Sequence, residues 1–311
     1  MQALSRYALR QEIKKLNRLN PKDASYTAIT QTYRNIMHGM TLVAGKLGGG
    51  ELFYRVRKTG GYKPNSVKEL HAPPANLVTG YQRCNPPGIP MFYGASKRIG
   101  AIYETRVEAG DTICLSQWIG NESIPVNKIF DSEENQEILG VERSSIEGPN
   151  DDILLAYLDT QFTKRIHTTF ADDYKFTSAI AQELTCGFTP DEKRGIKDDG
   201  FIALKYPSVL NANLSYNTAM HSSFAADRLE LIHVMEIKVL SINGTEVDIE
   251  IIDTSNDIQN GCIIWSGRTD LVPEIISEPR GVPFIFDGRR WSLLMHEGPI
   301  TREYINMLMT D

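Results

Sequence analysis

Five side chains within residues 51–106 have types and spacing that suit one chemistry: Arg55, Arg57, Arg83, Tyr93 and Glu104. A guanidinium is a planar fork that pairs bidentately with oxyanions. An aromatic ring offers a stacking face. A carboxylate bonds sugar hydroxyls or stabilises a developing cation. Cations, a ring and one carboxylate drawn to one place suit an anionic sugar-phosphate ligand. Local pattern alone also allows a plainer reading, in which the two strand arginines form a solvated face and Glu104 is a surface carboxylate.

The elements that must position these groups are legible by period. LFYRVRK over 52–58 alternates as a strand, placing Arg55 and Arg57 on one face. A long Pro/Gly-rich loop follows, with Arg83 and Asn85 at its centre; ordered loops of this length are often functional. Pro86-Pro87-Gly88 turns into the strand IPMFYGA, which carries Tyr93. Ser96 is the expected N-cap of the helix KRIGAIYETR. Ile99, Ile102 and Tyr103 form that helix's core face, and Glu104 lies near its end. DTICLSQWI reads as a further strand.

Upstream, two helices are expected, over about 4–19 and 25–47, the second ended by Gly48-Gly49-Gly50. Downstream, 121–150 is a polar, turn-rich excursion. Helices are expected over 153–162 and 174–184, and a strand FIALKYPSV ended by Pro207. An Asn/Ser-rich loop covers 211–223 and contains Asn217-Thr218-Ala219. Two strands then meet at the hairpin signal Asn243-Gly244, and GCIIWSG is a short strand. The tail holds an apolar run over 282–286, a turn at Asp287-Gly288 and a final helix over 301–309.

The composition is that of an ordinary soluble protein, and 311 residues suffice for one large domain or two. A net charge of −6 speaks against a general nucleic-acid binder, which needs a basic surface. Cys84, Cys114, Cys186 and Cys262 show neither zinc nor disulfide spacing and read as reduced thiols. No run approaches the roughly 20 apolar residues of a membrane span, and no signal-peptide core opens the chain. A soluble cytoplasmic protein is the expectation. There is no Walker loop, no GxGxxG after a strand, no HExxH and no GxSxG elbow. With the histidines scattered, no metal site is expected.

The order of the pieces carries more than any one of them. FYRVR, APP, RCNPPGIPMFYGAS, AIYETR, YKFTSAIAQEL, DGFIALKYPSV and YNTA resemble, in sequence, the RES domain family. The pattern residues are Arg55 (with Arg57 as its near alternative), Arg83, Asn85, Gly88, Tyr93, Glu104, Tyr206-Pro207-Ser208 and Asn217. Gln82 stands where the family often has Gly, and 121–150 and 186–198 look like insertions.

The resemblance implies an α+β fold like that of ADP-ribosyltransferases, a split antiparallel sheet with flanking helices around an NAD cleft. It implies a domain over 49–240; residues 1–48 and 241–311 lie outside it and are expected as a helical extension and a hairpin/helix extension, the latter on the same body because no linker-like composition separates it. It implies a bacterial toxin of a toxin–antitoxin pair that consumes NAD by hydrolysis or phosphorolysis and is neutralised by a small antitoxin. Protein ADP-ribosylation and a catalytically silent NAD-binding module are the alternatives. Arg55, Glu104 and Ser208 would be catalytic; Arg57, Arg83, Tyr93 and Asn217 would bind NAD, which is substrate rather than resident cofactor. No direct nucleic-acid or membrane partner is implied, and the oligomeric state is open.

Overall fold

The computed structural model describes residues 3–40, 44–130, 148–209, 215–243, 246–267, 284–286 and 291–293. Over these the chain is a mixed α+β fold with mostly antiparallel strands. The helices are α1 (Arg6–Leu16), α2 (Tyr26–Met37), α3 (Val67–Leu70), α4 (Arg98–Glu104), α5 (Asp151–Thr163), α6 (Tyr174–Thr185) and α7 (Ser222–Arg228). The strands are β1 (Ala44–Leu47), β2 (Leu52–Lys58), β3 (Met91–Ala95), β4 (Thr112–Gly120), β5 (Ile124–Lys128), β6 (Ala203–Pro207) and β7 (Tyr216–His221), then β8 (Leu229–Asn243), β9 (Glu246–Ser255), β10 (Asp257–Gln259), β11 (Cys262–Ile264), β12 (Phe284–Phe286) and β13 (Trp291–Leu293).

Two compact units divide these elements. The first is drawn from Met1–Gly49, Ala72–Tyr93 and Glu122–Arg228. Its strand order is β1-β5-β6-β7, with β3 beginning beside β7; β5 and β6 run parallel, whereas β1 with β5 and β6 with β7 run antiparallel. One apolar core joins α1, α2, α5 and α6 to the strands, with Leu9, Tyr33, Phe162, Ile180 and Leu204 fully buried. The N-terminal helices are part of that core: Tyr33 and Tyr157 share a hydroxyl hydrogen bond of 2.9 Å. Tyr26 and Ser178 share another of 3.0 Å. Arg34 forks onto Glu183 at 2.9 and 2.6 Å.

The second unit is drawn from Gly50–His71, Gly94–Asn121 and Leu229–Asp311. Its order is β3-β2-β4-β8-β9-β13-β12, antiparallel throughout. Tyr54, Val56, Ile113 and Leu115 pack under α4 through Ile99 and Ile102, and Ile237, Val247 and Ile249 extend the same core.

Several sequence expectations change. The second helix stops at Met37, where His38 turns extended and Gly39 follows at φ +81, and 44–47 pairs with Ile124–Asn127 as an edge strand instead. Residues 124–128, expected within an excursion, form a buried strand; Pro125 is tolerated there because the β6 ladder begins only at Val126. Within the stretch expected as an Asn/Ser-rich loop over 211–223, Tyr216–His221 form β7, whose register with β6 pairs Asn217 with Tyr206. Ser96 is not the cap residue of α4: Lys97 stands there, and its side chain makes no capping hydrogen bond. The polar segment 131–147, the Asp287-Gly288 turn and the helix over 301–309 lie outside the described residues.

Candidate functional site

In the first unit, four of the expected residues gather around Cys84 and Tyr206. The loop carrying Arg83 and Asn85 closes on itself, with Gln82 N–H donating to Asn85 O at 2.9 Å. The Tyr93 hydroxyl pins it to β3: it accepts from Cys84 N–H at 3.0 Å and donates to Asn85 Oδ1 in a short bond. Asn85 is fully buried. Gln182 on α6 holds the Cys84 carbonyl at 3.2 Å. Gly88 adopts φ +79, a left-handed conformation that only glycine takes without strain, and its N–H closes on Val78 O at 2.8 Å.

Arg83 caps the C-terminus of α5. It donates to Phe162 O at 2.7 Å and Lys164 O at 3.3 Å, with its guanidinium 5.3 Å from the Tyr174 ring. A cation at a helix C-terminus is favourable, because the last carbonyls carry partial negative charge. Arg83 therefore has a structural duty whatever ligand contact it makes. Tyr206 packs on Phe162, centroids 5.3 Å apart. Ser208 is fully buried one step past β6, its N–H bonded to Ser215 O at 3.1 Å. Alternation places Tyr206, Asn217 and Ser208 on the same face as Leu204 and Ala219. Burial pushes the Cys84 thiol up to about 12 against the influence of Arg83, Tyr206 and Tyr93, so it is no nucleophile at neutral pH.

In the second unit, β2 separates the remaining three. Arg55 and Arg57 lie on the face opposite Tyr54 and Val56. Arg55 is half-buried, and its carbonyl accepts from Ser116 Oγ at 2.9 Å; Ser116 in turn takes Trp118 Nε1–H at 2.9 Å. Arg57 is exposed and donates to the carbonyl of Glu69. Glu104 is the last residue of α4 and half-buried; its helix packs on the Tyr54 face. The two arginines and the glutamate thus come from opposite sides of β2.

Arg98 is the residue that sequence reasoning passed over. It is 2% exposed, donates to Gln117 Oε1 at 3.0 Å and lies 4.8 Å over the Tyr54 ring. It locks the start of α4 to β2 and β4, and so sets where the helix delivers Glu104. The available signal was an arginine in the first turn of a helix whose other inward positions are apolar.

Among the described residues no group of His, Cys, Asp and Glu is arranged to hold a metal ion, and no helix is long and apolar enough to cross a membrane. The four cysteines are free thiols. The RES domain family model matches residues 52–237, more than half of the chain, and the chain belongs to the RES domain family. No curated protein and no solved structure matches it.

Proposed function

We propose that the chain is an NAD-cleaving enzyme that breaks the bond between ribose and nicotinamide, by hydrolysis or phosphorolysis, on an ADP-ribosyltransferase-like scaffold. In this reading it is the cytoplasmic toxin of a toxin–antitoxin pair, held in check by a small antitoxin, with the RES domain over 49–240 and extensions over 1–48 and 241–311. One observation carries the reading: the family match over 52–237 contains every pattern residue from Arg55 to Asn217, in the family's order.

The chemistry asks little covalent work of the protein. Nicotinamide leaves readily because its ring is cationic in NAD, and the transition state is oxocarbenium-like, as in glycoside hydrolysis. What is needed is a clamp on the pyrophosphate, a fixed ribose and a negative group beside C1′ to stabilise the positive charge that develops there. Arg55 is assigned to the pyrophosphate. Glu104, from the other side of β2, is assigned to the nicotinamide-side ribose, where it bonds hydroxyls, stabilises the oxocarbenium ion and orients the attacking water or phosphate. A dinucleotide is long enough for two such groups to hold different ends of it. Ser208 donates a hydrogen bond at the ribose or nicotinamide. Arg57, Arg83, Tyr93 and Asn217 complete the NAD-binding set, Arg83 and Tyr93 chiefly by shaping the loop they pin.

The test is product analysis of NAD incubated with the protein in phosphate-free and phosphate-containing buffer. Free nicotinamide with ADP-ribose marks hydrolysis; nicotinamide with phosphorylated ADP-ribose that appears only with phosphate marks phosphorolysis. NAD left intact in both buffers overturns the cleavage reading and leaves transfer to a protein acceptor, or binding alone.

A further inference from the structure

The face of β2 that carries Arg55 and Arg57 has a cover, and most of the residues that fasten it lie beyond the family match. Residues 59–71 leave β2 through Gly60 and Gly61, both at positive φ (+62 and +92), where glycine alone turns freely. They return as a strap ending in α3. The row beneath runs across the sheet as Arg57, Cys114, Glu236 and Asp253. Glu236 and Asp253 are 5% and 4% exposed, and two adjacent buried carboxylates need a counter-charge. Lys63 of the strap supplies it, 2.7 Å from Asp253 and 3.3 Å from Glu236, with its ammonium 4.9 Å from the Trp265 ring centroid.

Three further bonds tie the strap to 261–265. Trp265 Nε1–H donates to Pro64 O at 2.7 Å, Ile263 N–H to Asn65 O at 2.9 Å and Val67 N–H to Gly261 O at 3.0 Å. Ser66 and Glu69 form a capping box on α3, and the carbonyl of that same Glu69 takes the Arg57 guanidinium. Asp253, Gly261, Ile263 and Trp265 all follow residue 237, where the match ends.

We propose that Lys63, Asp253 and Trp265 are positioning residues for the NAD site: they clamp the strap so that Glu69 O fixes Arg57 beside Arg55 on the ligand-facing side of β2. This rests on the NAD reading above. The segment after the family domain is then part of the working site.

The test compares full-length wild type with Lys63→Met and Trp265→Phe, reading hydrogen exchange of 59–71 and the KM and kcat for NAD. Lys63→Met strands two buried carboxylates and is the harsher change. Trp265→Phe removes the N–H bonded to Pro64 together with the pyrrole half of the indole, keeps an aromatic ring and leaves both carboxylates paired with Lys63. The clamp predicts that strap exchange rises about tenfold or more while α5 and α6 keep their protection. It predicts that KM rises about tenfold with kcat within about threefold, and that Lys63→Arg restores both. Unchanged strap exchange in both variants overturns the clamp. A released strap with unchanged KM overturns its role in positioning. Wild type inert toward NAD overturns the reading of the site and with it that role, whereas the clamp itself stands or falls on the exchange.

Discussion

Replacing Tyr93 with Phe removes one hydroxyl and keeps the ring, so it separates loop anchoring from stacking. The hydroxyl accepts from Cys84 N–H and donates to Asn85 Oδ1, and both residues are fully buried. Each neutral hydrogen bond contributes about 1 kcal/mol net, and stranding a buried acceptor costs about 1–3 kcal/mol. Together they give a destabilisation of about 3 kcal/mol, or roughly 6 °C in Tm for a chain of this size. Urea unfolding of wild type, Tyr93→Phe, Asn85→Ala and the double variant closes the cycle. A coupling of about 1–2 kcal/mol between the two sites is expected, as for residues in direct contact. A loss under about 0.5 kcal/mol with no coupling would refute the anchoring argument. Tyr93 would then owe its place to its ring alone.

Arg228 is 1% exposed and holds Ser123 O, Gly195 O and Glu122 at 3.2, 2.9 and 3.2 Å, so Arg228→Met should cost the fold about 3 kcal/mol by chemical denaturation. Thr218 Oγ1 is buried with no hydrogen-bond partner among the described residues, so Thr218→Val should be neutral or up to about 1 kcal/mol stabilising by the same measurement. The Lys63 latch should be indifferent to pH across the neutral range. Burial would raise the Asp253 carboxyl, but bonds from Lys63, Thr254 N–H and Gly267 N–H outweigh it and lower it. Its contribution is therefore complete above the usual carboxylate range and lost only as pH falls through its depressed folded value. Burial would lower Lys63, but Asp253 and Glu236 outweigh it and raise it, so its part is complete below the usual lysine value and lost only as pH rises past its raised one. Intrinsic-rate-corrected exchange of 59–71 between pH 5 and pH 9 checks this; a step within that window, set here by about a unit inside the usual carboxylate and lysine values, would contradict it.

The parts of the fold that could be read from the sequence were those with strong local periods. β2 alternates, β3 follows a Pro/Gly turn, and α4 buries Ile99 and Ile102 at helical spacing. β7 was opaque because Asn217 and Thr218 sit among Asn and Ser; its strand state comes from pairing with β6, a tertiary term that overrides weak local preference. β1 was absorbed into the preceding helix, since four residues carry no period of their own and become a strand only against β5. The same limit hid the buried charges. Arg98 meets Gln117, Lys63 meets Asp253 and Arg228 meets Ser123, partners that lie 19, 190 and 105 positions away. The order of short motifs carried the family, because order survives insertion, but not the strap, whose fastenings lie outside that order.

The most direct measurement is the rate of nicotinamide release from NAD, followed by proton NMR, for wild type beside Glu104→Gln with matched unfolding curves. Glu104→Gln keeps the shape of the side chain and removes its charge. Wild type should release nicotinamide steadily, and the variant should lose about a hundredfold or more, the scale of removing one transition-state stabiliser. Release that survives the substitution at the wild-type rate would contradict it.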